Sequence, residues 1–277
     1  MALSLKTVNA SHGARWIGDA WRLFARRPLA FCALFSVFLF GALLISLVPL
    51  LGGLVQMMAL PLLSLGFMVA SQSALLDGPV HPKQFFEPLR VDPERRRSLI
   101  ILCVAYGMAA LAILLLVDAV SNSALARLQV LMTKGDAAKA QIDALLAEPG
   151  VSTGLLLMVV LGSALTVPFW HAPALVHWGG HRVGQALFSS TVAVWRCKGA
   201  FFVYLMGWVA VVFAFGMVTA LVLGLLGLPQ LAGLIGLPAG LMLSSVFYIS
   251  LLFTFNDSFG GTPVQVEDDS FTRPDPG

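Results

Sequence analysis

Six apolar runs, each long enough to cross a bilayer, decide what this chain can fold into. They cover Leu29 to Leu51, Leu54 to Leu76, Ser98 to Val120, Val151 to Val176, Gly199 to Leu226 and Leu231 to Phe255. A hydrocarbon core of about 30 Å takes about 20 helical residues to cross. Lipid offers no hydrogen-bond partners, so a crossing run must satisfy its own backbone, as a helix does. Composition agrees: 58% of the 277 residues are hydrophobic and 11% charged. Soluble domains carry about 25% charged residues, and a globule in water could not cover this much apolar surface. The pattern predicts an all-α polytopic membrane bundle of six transmembrane helices with short interfacial amphipathic helices. It excludes a soluble enzyme, a disordered chain and a secreted disulfide scaffold. The expected organisation is a leader (1–28), a membrane domain (29–255) with one sizeable external loop (121–150), and a disordered tail (256–277).

Charge placement predicts the orientation. Lys6, Arg15, Arg22, Arg26, Arg27, Lys83, Arg90, Arg95, Arg96, Arg97, Arg182, Arg196, Lys198 and Arg273 fall on one side of this topology; Arg127, Lys134 and Lys139 fall on the other. Short basic segments stay in the cytoplasm, so both termini are expected there, in a bacterial inner membrane. The even number of spans agrees. The first run has 23 residues, beyond the roughly 7–15 of a signal peptide's apolar region, and reads as an anchor.

The leader Ala14–Arg27 is amphipathic. At about 100° per residue, Arg15, Arg22 and Arg26 share one face, and Ile17, Ala20, Trp21 and Phe24 the opposite one. This predicts a helix lying in the interface, aromatics toward lipid and arginines toward anionic headgroups. Arg95-Arg96-Arg97, ahead of the third span, suits the same headgroups. Between spans two and three, prolines at 79, 82, 88 and 93 break the loop, and Lys83-Gln84-Phe85-Phe86 reads as a one- or two-turn stub. The candidate lipid-interface residues are therefore Arg15, Trp21, Arg22, Arg26, Arg27, Arg95, Arg96, Arg97 and Trp178. Membrane lipids are the expected partners, with a second copy or another membrane protein possible on the same face. A net charge of +3 gives no ground for nucleic-acid binding.

Catalytic chemistry finds little to stand on. Asp118 is the one carboxylate inside an apolar run, near its external end. His171, His177 and His181 form a polar cluster beside Trp170 and Trp178. His177 and His181 stand at i, i+4, a zinc-compatible spacing, but Gly179-Gly180 weakens the helix and no H-E-x-x-H glutamate is present. The tryptophans favour an interfacial address. Cys32, Cys103 and Cys197 are scattered, with no C-x-x-C. No cofactor or metal is indicated, and the chain reads as non-enzymatic.

Ala20-Trp21-Arg22 before the first span is echoed by Val194-Trp195-Arg196 before the fifth. Each follows an amphipathic stretch and precedes a hairpin of two spans, as a parallel repeat would. Ala20–Phe24 through Arg27-Pro28, the run Leu60–Phe67, Asp77–Val80 with Phe85-Phe86, and Pro168–Leu175 together resemble a family of uncharacterised proteobacterial multi-spanning inner-membrane proteins. The resemblance implies location and fold type only. Two functions fit: a role in organising the envelope or a membrane complex, or a small-molecule transporter. The transporter predicts a mid-depth cavity lined by Ser64, Gln72, Ser163, Thr166 and Ser244; the organiser predicts tight packing there.

Overall fold

A computed structural model describes residues 4–49, 51–90, 92–132 and 139–260. The helices are α1 (His12–Arg26), α2 (Pro28–Ser46), α3 (Gly52–Leu75), α4 (Pro93–Val120), α5 (Ala124–Met132), α6 (Lys139–Leu146), α7 (Pro149–Phe169), α8 (Ala172–His177), α9 (Val183–Arg196), α10 (Lys198–Leu225) and α11 (Ala232–Phe259). Six are long and apolar enough to cross a membrane: α2, α3, α4, α7 continued by α8, α10 and α11. Among the described residues there is no strand.

The boundaries follow local chemistry. Pro28, Pro93 and Pro149 open α2, α4 and α7 at the first helical position, where a missing N–H costs nothing. Asp92 caps α4 by accepting from the Glu94 amide. Gly260, at φ +81°, closes α11 in the left-handed conformation a glycine adopts freely. In the α2–α3 hairpin Gln56 Nε2 donates to the Ala42 carbonyl at 2.5 Å, tying the two helices together close to their turn. At Gly107 a Cβ would run into Met58, so that glycine sets how closely α4 approaches α3.

Three hairpins, α2/α3, α4/α7 and α10/α11, converge at the arginine-rich end and present apolar side chains outward at the other. Near the basic end, Phe31, Leu34, Leu99, Leu102, Ala200, Ile249, Leu252 and Phe255 are buried. Toward the opposite end, Leu43, Leu44, Leu115, Leu156, Leu221, Leu234 and Leu237 point outward as an apolar skin. There the hairpins leave these side chains exposed instead of packing them on one another. The expected external loop forms the short helices α5 and α6, joined over α7 by an apolar cluster of Ala124, Leu145 and Val151 and by the Arg127–Glu148 ion pair at 2.8 Å.

Helix α1 corrects the leader's expected setting. Its apolar face does not turn to lipid. Trp16, Ile17, Ala20, Leu23 and Phe24 are buried on the α10/α11 hairpin, while Trp21 is half-buried. A Cβ on Gly13 would strike the Ala200 carbonyl, and one on Gly207 would meet Ile17. Small residues thus let α1 sit deep between α10 and α11. A second correction concerns the tail: α11 continues through Asn256, Asp257, Ser258 and Phe259, so residues 256–259 are helical. The remainder of the expected disordered tail, 261–277, lies outside the described residues. The repeated order of a short helix and two long ones is present twice, as α1–α2–α3 and α9–α10–α11. The packing differs: α1 lies on α10 and α11, whereas α9 lies on α7 and α8.

Candidate functional site

The basic residues form a rim at the converging end, in two chemical states. Arg15, Arg22, Arg26, Arg96 and Arg97 are exposed, and among the described residues only Arg22 of these makes an ion pair, to Asp19 at 2.8 Å. Arg27 and Arg95 are engaged inside the protein. Arg27 donates to the Gly78 and Asp77 carbonyls beyond the C-terminus of α3. Arg95 donates to the His177 carbonyl at 2.8 Å and faces Asp92. Both cations therefore neutralise carbonyls at helix ends, pinning α2 to α3 and α4 to α8.

Helix α9 contributes rim residues outside the expected set. Its small residues Ala186, Ser190 and Ala193 are buried, and Ser190 Oγ donates to the Val167 carbonyl and accepts from the His171 amide, both at 3.0 Å. Its other face carries Phe188 and Trp195, 71% and 73% exposed, flanked by exposed Arg182, Arg196 and Lys198. The Lys198 ammonium lies 5.6 Å from the Trp195 ring centroid. Two large aromatics thus turn away from the protein beside three cations. The spacing of Phe188 and Trp195 carried that signal in the sequence.

The histidines do not act as one group. His171 is fully buried among Phe201, Phe255 and Phe259, its ring 5.9, 5.9 and 5.4 Å from theirs, and neither ring nitrogen has a partner among the described residues. His177 stacks edge-on with Trp178 at 5.3 Å, and Trp178 in turn lies against Phe255. His181 follows the left-handed Gly180. Among the described residues no three His, Cys, Asp or Glu side chains are placed to hold a metal.

A polar contact between sequence-distant residues ties α1 to α11. Asp257 Oδ2 accepts from Trp16 Nε1 at 2.7 Å and meets His12 Nδ1 at 2.6 Å. The Lys6 amide donates to the Ser258 carbonyl at 2.9 Å. Nothing in the spacing of residues 241 positions or more apart could foretell this meeting.

A cavity of about 240 Å³ lies between α3, α4, α7 and α11. Ser64 and Thr166 line it, as the transporter expectation required, together with Tyr106, Trp170 and Tyr248. Gln72, Ser163 and Ser244 do not. Prolines interrupt two of its walls, Pro61 in α3 and Pro168 in α7. Each leaves one carbonyl of the preceding turn without a helical amide. Toward the basic end the cavity stops against the buried side chains Leu65, Met68, Leu252 and Phe255.

Comparison with known proteins gives one informative match. A probable inner membrane protein of Burkholderia thailandensis is 30% identical over 262 residues, covering 93% of this chain and 94% of the relative. No protein-family model matches the chain, and no solved structure matches it significantly.

Proposed function

The chain belongs to the same inner-membrane protein family as this Burkholderia relative, and from that premise we propose that it organises the membrane at its basic end, without catalysing a reaction. Both termini lie in the cytoplasm in this reading, and the rim binds anionic headgroups there. The observation that carries it is the unspent charge of the rim: Arg15, Arg26, Arg96, Arg97, Arg182 and Arg196 are exposed and make no ion pair among the described residues. Phe188 and Trp195 add an apolar foothold beside them. Each cation near an anionic surface is worth about 1 kcal/mol, so the rim as a whole favours such lipid strongly and loses that preference as salt rises.

The test reconstitutes the intact protein in nanodiscs of phosphatidylcholine alone or with phosphatidylglycerol. The anionic lipid raises the thermal midpoint at low salt. Replacing Arg15, Arg26, Arg96, Arg97, Arg182 and Arg196 by Gln removes the increment. Equal midpoints in both lipids would refute the reading. Orientation is tested by Ser123→Cys, labelled in intact cells by a membrane-impermeant maleimide only if the α4–α5 junction is external.

The cavity supports a second reading, a transporter for a small uncharged molecule. It places Ser64 and Thr166 at mid-depth between proline-interrupted helices, where transporter sites are built. Flux of neutral solutes into proteoliposomes tests it.

A further inference from the structure

We propose that the cavity among Ser64, Tyr106, Thr166 and Tyr248 holds the hydroxyl end of an uncharged lipid alcohol, whose hydrocarbon chain stays in the bilayer. This goes beyond the organising role of the rim and uses none of its residues.

The hydrogen-bonding capacity of the walls selects the ligand. Ser64 Oγ donates to the Pro61 carbonyl and Thr166 Oγ1 to the Gly162 carbonyl, each at 2.8 Å. Their single hydroxyl protons are thus committed, and toward the cavity these oxygens can only accept. Trp170 Nε1 is committed to Thr254 Oγ1 at 3.2 Å. Tyr106 is held edge-on against Phe169 at 5.1 Å, and Tyr248 packs on Phe67 at 5.3 Å. Neither phenol makes a hydrogen bond among the described residues, so each keeps a proton to donate. The cavity therefore offers donors and acceptors together, at a depth where lipid can satisfy neither. An alcohol hydroxyl supplies both complements in one group. A pure hydrocarbon would leave the phenols unpaired.

Charge sets the exclusion. No Asp, Glu, Lys, Arg or His among the described residues lines the cavity. A phosphate or carboxylate here would be buried without a counter-ion, which is strongly unfavourable. Phospholipid headgroups and fatty acids are therefore poor occupants.

Size and access settle how the ligand lies. About 240 Å³ is the room of about eight liquid waters, enough for a polar end and the first few methylenes but not for a long chain. Helices α7 and α11 face each other across the cavity without close packing, whereas α3 packs on α4 and α11, and α4 on α7. The opening thus lies between α7 and α11, the neighbouring walls that do not pack closely on each other. A chain leaving by that gap stays among acyl chains. The buried side chains toward the basic end close the other exit.

The experiment uses the full chain in phosphatidylcholine nanodiscs and a long-chain alcohol carrying a diazirine in its hydrocarbon. Irradiation is expected to label α7 or α11 beside the gap. Excess oleyl alcohol or dioleoylglycerol should compete, and the stronger competitor identifies the source of the hydroxyl; phosphatidic acid should not compete. Tyr106→Phe with Tyr248→Phe should cut labelling about tenfold, since losing one hydrogen bond weakens binding up to about tenfold. These changes keep ring volume, and the thermal midpoint checks the fold; if it falls, Tyr248→Phe alone and Thr166→Val serve instead. Ser64→Leu should abolish labelling by filling the space. Labelling outside these helices, equal competition by phosphatidic acid, or undiminished labelling of the folded phenylalanine variants would overturn the proposal. All these variants keep the rim, so the lipid dependence of the thermal midpoint reports on the organising role separately.

Discussion

Removing the Asp257 carboxylate should loosen α1 on the bundle while leaving the six spans in place. Trp16 is 1% exposed, and its indole N–H has Asp257 as its acceptor. In Asp257→Ala that donor stays buried without a partner, at a cost of about 1–3 kcal/mol. The His12 contact adds less, because the Asp257 side chain is 37% exposed and solvent screens it; such pairs contribute about 0–1 kcal/mol. A loss of about 2 kcal/mol in the docking of α1 should speed amide exchange along His12–Arg26 about thirtyfold. Trp16→Phe removes the same donor but keeps most of the ring burial, so alone it should cost about 1 kcal/mol. The double variant should cost little more than Asp257→Ala, with a coupling of about 1 kcal/mol. Hydrogen exchange with mass spectrometry, in nanodiscs, reads both quantities. If α1 exchange stays within twofold of wild type, or the two changes simply add, then α1 is not held by this contact.

Other consequences can be checked on the same preparation. Gly13→Val should displace α1 more severely than Asp257→Ala, because its Cβ would strike the Ala200 carbonyl, which cannot yield as a side-chain end could; loss of protection confined to α1 is the expected result. His171→Phe should raise the thermal midpoint, since it replaces two unpartnered ring nitrogens in an aromatic shell and removes a burden of about 1–3 kcal/mol. A fall would mean the imidazole has a polar partner in the membrane. Phe85→Ala should destabilise the α3–α4 connection by about 3–5 kcal/mol, because Phe85 fills the space over Gly66 beside Phe38 and Phe67. Phe86→Ala, at a ring 57% exposed, should change the stability by under about 0.5 kcal/mol.

The two phenylalanines illustrate what could be read in advance. Their position in a proline-broken stub was legible from residues 79–93, and the stub forms as two 3₁₀ turns, Pro82–Phe85 and Glu87–Leu89. Which ring goes inward was not legible, because that depends on the gap opposite Gly66. The cavity repeats the lesson: Ser64 and Thr166 stood out as polar residues in apolar runs, but Tyr106 and Tyr248 looked like ordinary aromatics. Only the packing of α3 on both α4 and α11 brings the two rings to the wall of one cavity.

The six spans and the short helices around them were readable from the residues alone. Lipid forces that result, since any long apolar stretch inside it must close its own hydrogen bonds, and basic segments mark one end. Where α1 lays its apolar face, which arginines are engaged inside the protein and which hydroxyl-bearing residues line one cavity depend on how the helices pack. The reason is physical: to a leucine or a tryptophan, the bilayer interior and the protein interior are nearly the same solvent. Composition and periodicity say that a face must leave water, and only the shape of neighbouring helices says which of the two receives it.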